Sequence, residues 1–327
     1  MRETDSDLHS KKNRNLIKIV FFFILSLANS FLALLYFFVQ MAIIGMKFLR
    51  AKIPIEIQED FKVDTVVYKK TSNKELKMDF YIPNKSKKKY PVILYSHGGG
   101  WISGFRNQPN NVSWCKYLAS KGYVVASIDY SFGFQNHLKD ILKDYEDSLS
   151  FLKKQESYYN LDLENIFLMG LSAGGHLALL YSSYYTSIGE DEKIKGVKGV
   201  ISYYTPSDLK TIGDKEHNSI FAKYAIWTTM KGTLEEKEAE YDKFSPINYI
   251  SSRMIPMFIA HGKMDQTVPF KNSLSLSKAL DRYRVPYKFL VHRKADHCFD
   301  FYRKDPRTIY IVEETARFIE RSIRDDY

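Results

Sequence analysis

The chain is poor in the residues that build most metal and redox sites. Its 327 residues include two cysteines, Cys115 and Cys298. They lack the C-x-x-C spacing of a zinc or redox motif, and nothing in their pattern demands a disulfide. The eight histidines never flank a glutamate at i and i+4, so a helical zinc motif is missing too. The glycine run 98–100 has neither the Lys-Ser/Thr of a phosphate-binding loop nor dinucleotide spacing. No metal and no cofactor are expected. Acidic residues are in deficit, 38 against 48 Lys and Arg, for a net charge of +10. Half of that surplus sits in residues 1–52, and no basic helix or aromatic RNA motif accompanies it, so nucleic acid is not an expected partner. Lys85, Lys87, Lys88 and Lys89 bunch between two predicted strands, where charges are ordinarily just solvated.

Charge is absent altogether from Ile19 to Met46, a run of 28 residues. As a helix it would be about 42 Å long, more than the roughly 30 Å hydrocarbon core of a bilayer. A secretory signal has a shorter apolar region and a clean cleavage site. The run therefore reads as a single membrane-spanning signal anchor over 19–46, after a basic tail at 1–18 and before a juxtamembrane linker at 47–60. Arg2, Lys11, Lys12, Arg14 and Lys18 precede it, and Lys47, Arg50 and Lys52 follow. Five against three places the rest of the chain outside the cytoplasm.

Residues 61–327 suffice for one α/β domain. The alternation Leu76-Lys-Met-Asp-Phe-Tyr-Ile82 predicts an antiparallel edge strand. Apolar runs near 92–95, 123–128, 166–169, 197–203, 257–260 and 287–291 predict strands of a mostly parallel sheet with helices on both faces. Leu138–Lys153 and Thr308–Ile323 read as amphipathic helices. Between Leu209 and Phe244 no strand is predicted. Phe221, Tyr224, Trp227 and Met230 recur there at helical spacing, which fits either a packed helix or a cap over a site.

Two glycine-rich segments follow predicted strands: His97-Gly-Gly-Gly-Trp101 and Gly170-Leu-Ser-Ala-Gly-Gly175. The second runs into a helical pattern. Strand, G-x-S-x-G, helix is the setting in which a serine is presented on a sharp turn, and this makes Ser172 a candidate nucleophile. A serine needs a base, and the base needs an orienting acid; in this setting the chain order is Ser, Asp, His. Asp265 follows the run Met257–Ala260, and His297 follows Tyr287–Val291, both at strand ends where ligands gather. Asp208 is the second choice for the acid. Asp296, adjacent to His297, should point elsewhere. His97 and His261 are expected to brace loops, and His176 to pack or cap at the start of the elbow helix. Cys298 fits a small packing residue or a group tuning access to the base.

HGGGW at 97–101, GLSAGG at 170–175, HGKMDQTVP at 261–269 and DHCF at 296–299 together resemble an α/β-hydrolase of the esterase/lipase group. That group includes hormone-sensitive-lipase-like carboxylesterases, with feruloyl and acetyl esterases and kynurenine formamidases on related branches. The resemblance spans about 55–327. It implies an α/β-hydrolase fold with Ser172 as nucleophile, His297 as base and then acid, and Asp265 orienting the imidazole. It implies an oxyanion hole from the amides of Gly99, Gly100 and Ala173, and Trp101 as a wall of the substrate pocket or a ring packed under the loop. The expected substrate is a small-molecule or lipid acyl or acetyl ester. An arylformamidase or amidase, and a non-catalytic hydrolase-fold membrane receptor, remain the alternatives.

Overall fold

The computed structural model describes residues 51–325 apart from Asn73. The basic tail, the uncharged run 19–46 and the start of the expected linker lie outside the described residues. Among the described residues, no helix is long and apolar enough to cross a membrane.

Eight strands form one sheet: β1 Lys62–Lys70, β2 Glu75–Ile82, β3 Tyr90–Ser96, β4 Val124–Ile128, β5 Leu161–Leu171, β6 Val197–Tyr203, β7 Met257–Gly262 and β8 Tyr287–His292. Their spatial order is β1-β2-β4-β3-β5-β6-β7-β8. From β4 to β8 every pairing is parallel. That explains the unbroken apolar runs: both faces of these strands are covered, so polar alternation would bury unpaired polar groups. Along β3, Val92 and Leu94 join one core while Ile93 and Tyr95 join the other.

The strand expected at the sheet edge is internal. β2 is antiparallel to both β4 and β1, and β1 forms the edge. β1 escaped the sequence reading because Lys62-Val-Asp-Thr-Val-Val-Tyr-Lys-Lys70 has no clean period of two. Its register slips between Val67 and Lys69, and its charged residues suit an exposed edge.

The longer helices are α1 (Pro109–Ser120), α2 (Leu138–Lys154), α3 (Ala173–Ile188), α4 (Ile220–Met230), α5 (Leu234–Lys243), α6 (Lys271–Tyr283) and α7 (Pro306–Arg324). The apolar residues of α1 and α7 fill one core, and those of α2, α3 and α6 fill the other. His137 caps α2 in a reciprocal capping box with Asp140, and Asp305 caps α7 by accepting the Thr308 amide. The packed unit starts at Ala51, earlier than expected. Ala51, Ile53 and Phe61 are buried, and the Ile53 amide donates to Ser113 Oγ at 3.1 Å, so part of the expected linker is cemented to the domain.

Candidate active site

β3 and β5 are neighbours, paired from Val92 with Ile166 up to Ser96 with Gly170. The two glycine-rich segments therefore leave the sheet side by side. Ser172 sits between β5 and α3 with φ +51° and ψ −117°, a conformation side chains rarely adopt. Its neighbours make the turn possible. A Cβ on Gly174 would lie 2.2 Å from the Ser96 carbonyl oxygen, and one on Gly170 would lie 2.3 Å from Gly174. Backbone crowding thus forces the serine outward.

The loop after β3 passes directly beside it: a Cβ on Gly98 would lie 3.4 Å from Ser172 Cβ. Gly99 and Gly100 have φ of +125° and +61°. The Gly99 carbonyl accepts the amides of Ile102 and Ser103 and the Ser103 hydroxyl, closing the turn. His97 braces it from below, stacked on Tyr130 at 4.2 Å, while the Tyr130 hydroxyl donates to the His97 carbonyl. Burial pushes the His97 ring down to about 4, so it stays neutral. Arg106, by amide and guanidinium, ties the far end of the loop to Asp129 at 3.0 and 2.8 Å. Ala173 is the first residue of α3, so its N–H has no acceptor within the helix.

β7 and β8, also neighbours, deliver Asp265 and His297. Ser172 Oγ lies 3.0 Å from His297 Nε2, and His297 Nδ1 lies 2.7 Å from Asp265 Oδ2. The other carboxylate oxygen accepts the amides of Thr267 and Val268, both at 2.8 Å. Burial alone would raise the Asp265 pKa; His297 and His261 overcome it and hold the carboxyl well below the usual range. An ionised Asp265 requires the proton on His297 Nδ1, leaving Nε2 free to accept from the serine. His261 Nε2 lies 3.1 Å from Asp265 Oδ2 and 3.0 Å from the Val268 carbonyl, so it donates there, and its Nδ1 meets the Ser273 hydroxyl. Geometry of this kind supports activation of the Ser172 hydroxyl as a nucleophile, a requirement for acyl transfer.

The rival residues are occupied elsewhere. Asp208 accepts the Lys210 amide, and Asp296 accepts those of Gln266 and His297. His176 is buried, bonded through Nε2 to the Phe244 carbonyl and held neutral by burial, at about 4. Trp101 packs in the core, 3% exposed and edge-on to His176, rather than standing in an open pocket wall. Burial keeps the Cys298 thiol protonated. Among the described residues no three His, Cys, Asp or Glu side chains gather as a metal site.

Sequence reading missed two features. One is the buried group Trp114, Tyr204 and Asp300 behind His297, invisible because its members lie far apart in the chain. The other is the orientation of α4. Ala222, Ala225, Ile226 and Met230 form its buried face, whereas Phe221, Tyr224 and Trp227 are each about half exposed. α4 nevertheless touches the site: a Cβ on Gly100 would lie 2.9 Å from Ala225 Cβ and 3.1 Å from the Phe221 ring. Beside Asp265, a polar cavity of about 430 Å³ is lined by Thr211, Asp214, His217, Gln266 and Lys271 among others.

The BD-FAE family model matches residues 78–280, more than half of the chain. A probable isoprenylcysteine alpha-carbonyl methylesterase of Arabidopsis thaliana is 26% identical over 76% of this chain and 54% of its own length. A probable carboxylic ester hydrolase of Mycobacterium tuberculosis is 27% identical over 64% of this chain and 49% of its own. The chain thus spans about half the length of such curated relatives. Esterase B from Lactobacillus rhamnosis superposes with a TM-score of 0.71 at 23% identity, covering 88% of this chain and 94% of that one. A butyrate-bound Thermogutta terrifontis esterase gives 0.62 at 24% identity, with 79% and 93% covered.

Proposed function

Because the chain belongs to the BD-FAE family and has the α/β-hydrolase fold, we propose that it is a serine carboxylic ester hydrolase. The observation that carries this reading is the continuous hydrogen-bond chain from Ser172 through His297 to Asp265, at 3.0 and 2.7 Å. In the proposed cycle His297 Nε2 takes the Ser172 proton as Oγ attacks the ester carbonyl. The oxyanion forms against the amides of Gly99, Gly100 and Ala173. Each such donor contributes about 3–4 kcal/mol. The tetrahedral species collapses, the ester C–O bond breaks, and His297 protonates the departing alcohol. Water then attacks the acyl-enzyme, giving its proton to His297, which returns it to Ser172 as the carboxylic acid leaves.

The names borne by the relatives, a methylesterase and a carboxylic ester hydrolase, support ester rather than amide bonds. The half-exposed Phe221 ring beside Gly100, with the half-exposed rings of Tyr224 and Trp227 on the same helix, supports a substrate with an apolar group. We also read the uncharged run 19–46 as a membrane anchor. Carbonate extraction of membranes tests it: release of the full chain into the soluble fraction would refute anchoring.

The activity is tested with p-nitrophenyl butyrate. Ser172→Ala should lose at least about a thousandfold in kcat, as triad variants do. A fluorophosphonate probe should label the wild type at Ser172. Wild-type turnover by the alanine variant would refute the assignment, and faster cleavage of an N-formyl aryl amide than of the matched ester would move the reading to a formamidase.

A further inference from the structure

Asp300 is completely buried, yet the proposed cycle makes no use of it. Its Oδ2 accepts the Trp114 indole N–H at 2.7 Å, and its Oδ1 accepts the Tyr204 hydroxyl at 2.8 Å. Trp114 comes from α1, Tyr204 from the end of β6, and Asp300 from the turn Phe299–Tyr302 just beyond His297. Three distant parts of the chain are therefore knotted at one carboxylate. Burial pushes its carboxyl up to about 6 against the pull of those two donors.

Stability does not account for such a group well. A buried carboxylate is costly to desolvate, and its hydrogen bonds must offset that cost before they stabilise anything. What the knot holds is informative. The Tyr204 ring stands edge-on to the His297 imidazole, with centroids 4.6 Å apart. Tyr204 is held there at φ +38°, strained for a bulky residue, with its amide bonded to the Ala260 carbonyl at 2.7 Å. Strain of this kind persists only where the surroundings over-determine it. Cys298, between His297 and the turn, is also left-handed, at φ +57°. His297 is thus gripped twice, through its ring by Tyr204 and through its own backbone by the turn carrying Asp300.

We propose that Asp300 is a positioning residue for His297, locking the imidazole between Ser172 and Asp265 through Tyr204 and Trp114. This rests on the esterase reading above. The titratable groups facing Asp300 are Tyr95, Tyr203, Tyr204, Cys298, Tyr302 and His297. His297 itself also meets Asp265, with Asp296 beside it in the chain.

The test uses the full chain, p-nitrophenyl butyrate, and separate kcat and KM values from pH 5 to 9. In Asp300→Asn, kcat should fall roughly 10- to 100-fold with KM nearly unchanged, since small displacements of a base cost that much. The acid limb of kcat/KM should move to lower pH, because loss of a nearby negative charge makes the imidazolium less stable. Tyr204→Phe removes one oxygen and no ring, and is the second variant should Asp300→Asn fail to fold; its kcat should fall several-fold at constant KM. Unchanged kcat, or a lowered Tm with no change in kcat or in the acid limb, overturns the proposal. A matched rise in KM with an unmoved limb means general loosening and overturns it as well. Failure of the wild type to react with a fluorophosphonate would instead sink the esterase reading itself.

Discussion

The floor and the roof of the site are built on different principles. The floor consists of loops leaving four strand ends, and its geometry is enforced by backbone contact and buried hydrogen bonds. At Gly174 a single added carbon would meet a carbonyl oxygen at 2.2 Å. The roof, Lys210–Lys243, rests on the floor through the Ala222–Met230 side of α4 and leaves Phe221, Tyr224 and Trp227 half in water. Tolerance to change should follow the same division. Substitutions in the floor should remove chemistry or the fold; those in the roof should adjust which ester is taken.

The largest effect expected is chemical. Asp265→Asn should cost about 10⁴ in kcat, because the amide favours the wrong imidazole tautomer. Steady-state kinetics at pH 8 with the near-ultraviolet circular dichroism spectrum retained would establish it, and a loss under tenfold would mean the floor is less exacting than its geometry. Next comes Gly174→Ala, where the clash lies against backbone that cannot rotate away. A destabilisation above about 3 kcal/mol in urea titration is expected. The control, away from both floor and roof, is Gly189→Ala at the end of α3, where φ is +75° but a Cβ would meet nothing within 4 Å. Its cost should stay near 1 kcal/mol.

Acid should also attack the floor first. His97 and His176 are buried with pKa lowered from 6.5 to about 4, so the folded protein binds their protons less readily than the unfolded chain does. By linkage, stability is full above pH 6.5 and falls as pH drops from there towards 4, by up to about 3 kcal/mol for each ring. His176→Gln should flatten that slope between pH 6.5 and 4 in urea titrations; an unaltered slope would remove His176 from the account. The smallest effect on the fold belongs to the roof. Trp227→Ser with Tyr224→Ser should change stability by less than about 1 kcal/mol, these being exposed sites. The double variant should nonetheless lower kcat/KM for a dodecanoate ester several-fold while leaving the acetate ester within twofold. A chain-length profile identical to wild type would detach those rings from substrate binding.

The same division governed what was legible in the chain. The elbow announces itself because close backbone approach demands glycine at fixed offsets around Ser172, and such demands are written locally. Asp265 and His297 were reached by motif order and strand-end position. The central strands were legible because sheets covered on both faces need unbroken apolar runs. β1 was not, since an exposed edge with a bulge tolerates almost any polar sequence. Helix α4 was legible only in part: of Phe221, Tyr224, Trp227 and Met230 at helical spacing, only Met230 is buried, and the smaller Ala222, Ala225 and Ile226 pack beside it.

By itself, then, the order of residues determined the layered α/β architecture, the two glycine turns and the short set of candidates for the site. Periodicity and backbone sterics act within a few residues, so they can be read along a line. Only the tertiary structure decided that β3 and β5 lie side by side, that α4 turns its aromatic rings outward, and that Trp114, Tyr204 and Asp300 meet behind His297. Those arrangements depend on burial and on the pairing of polar groups brought together across as many as 186 positions, and no local pattern encodes them.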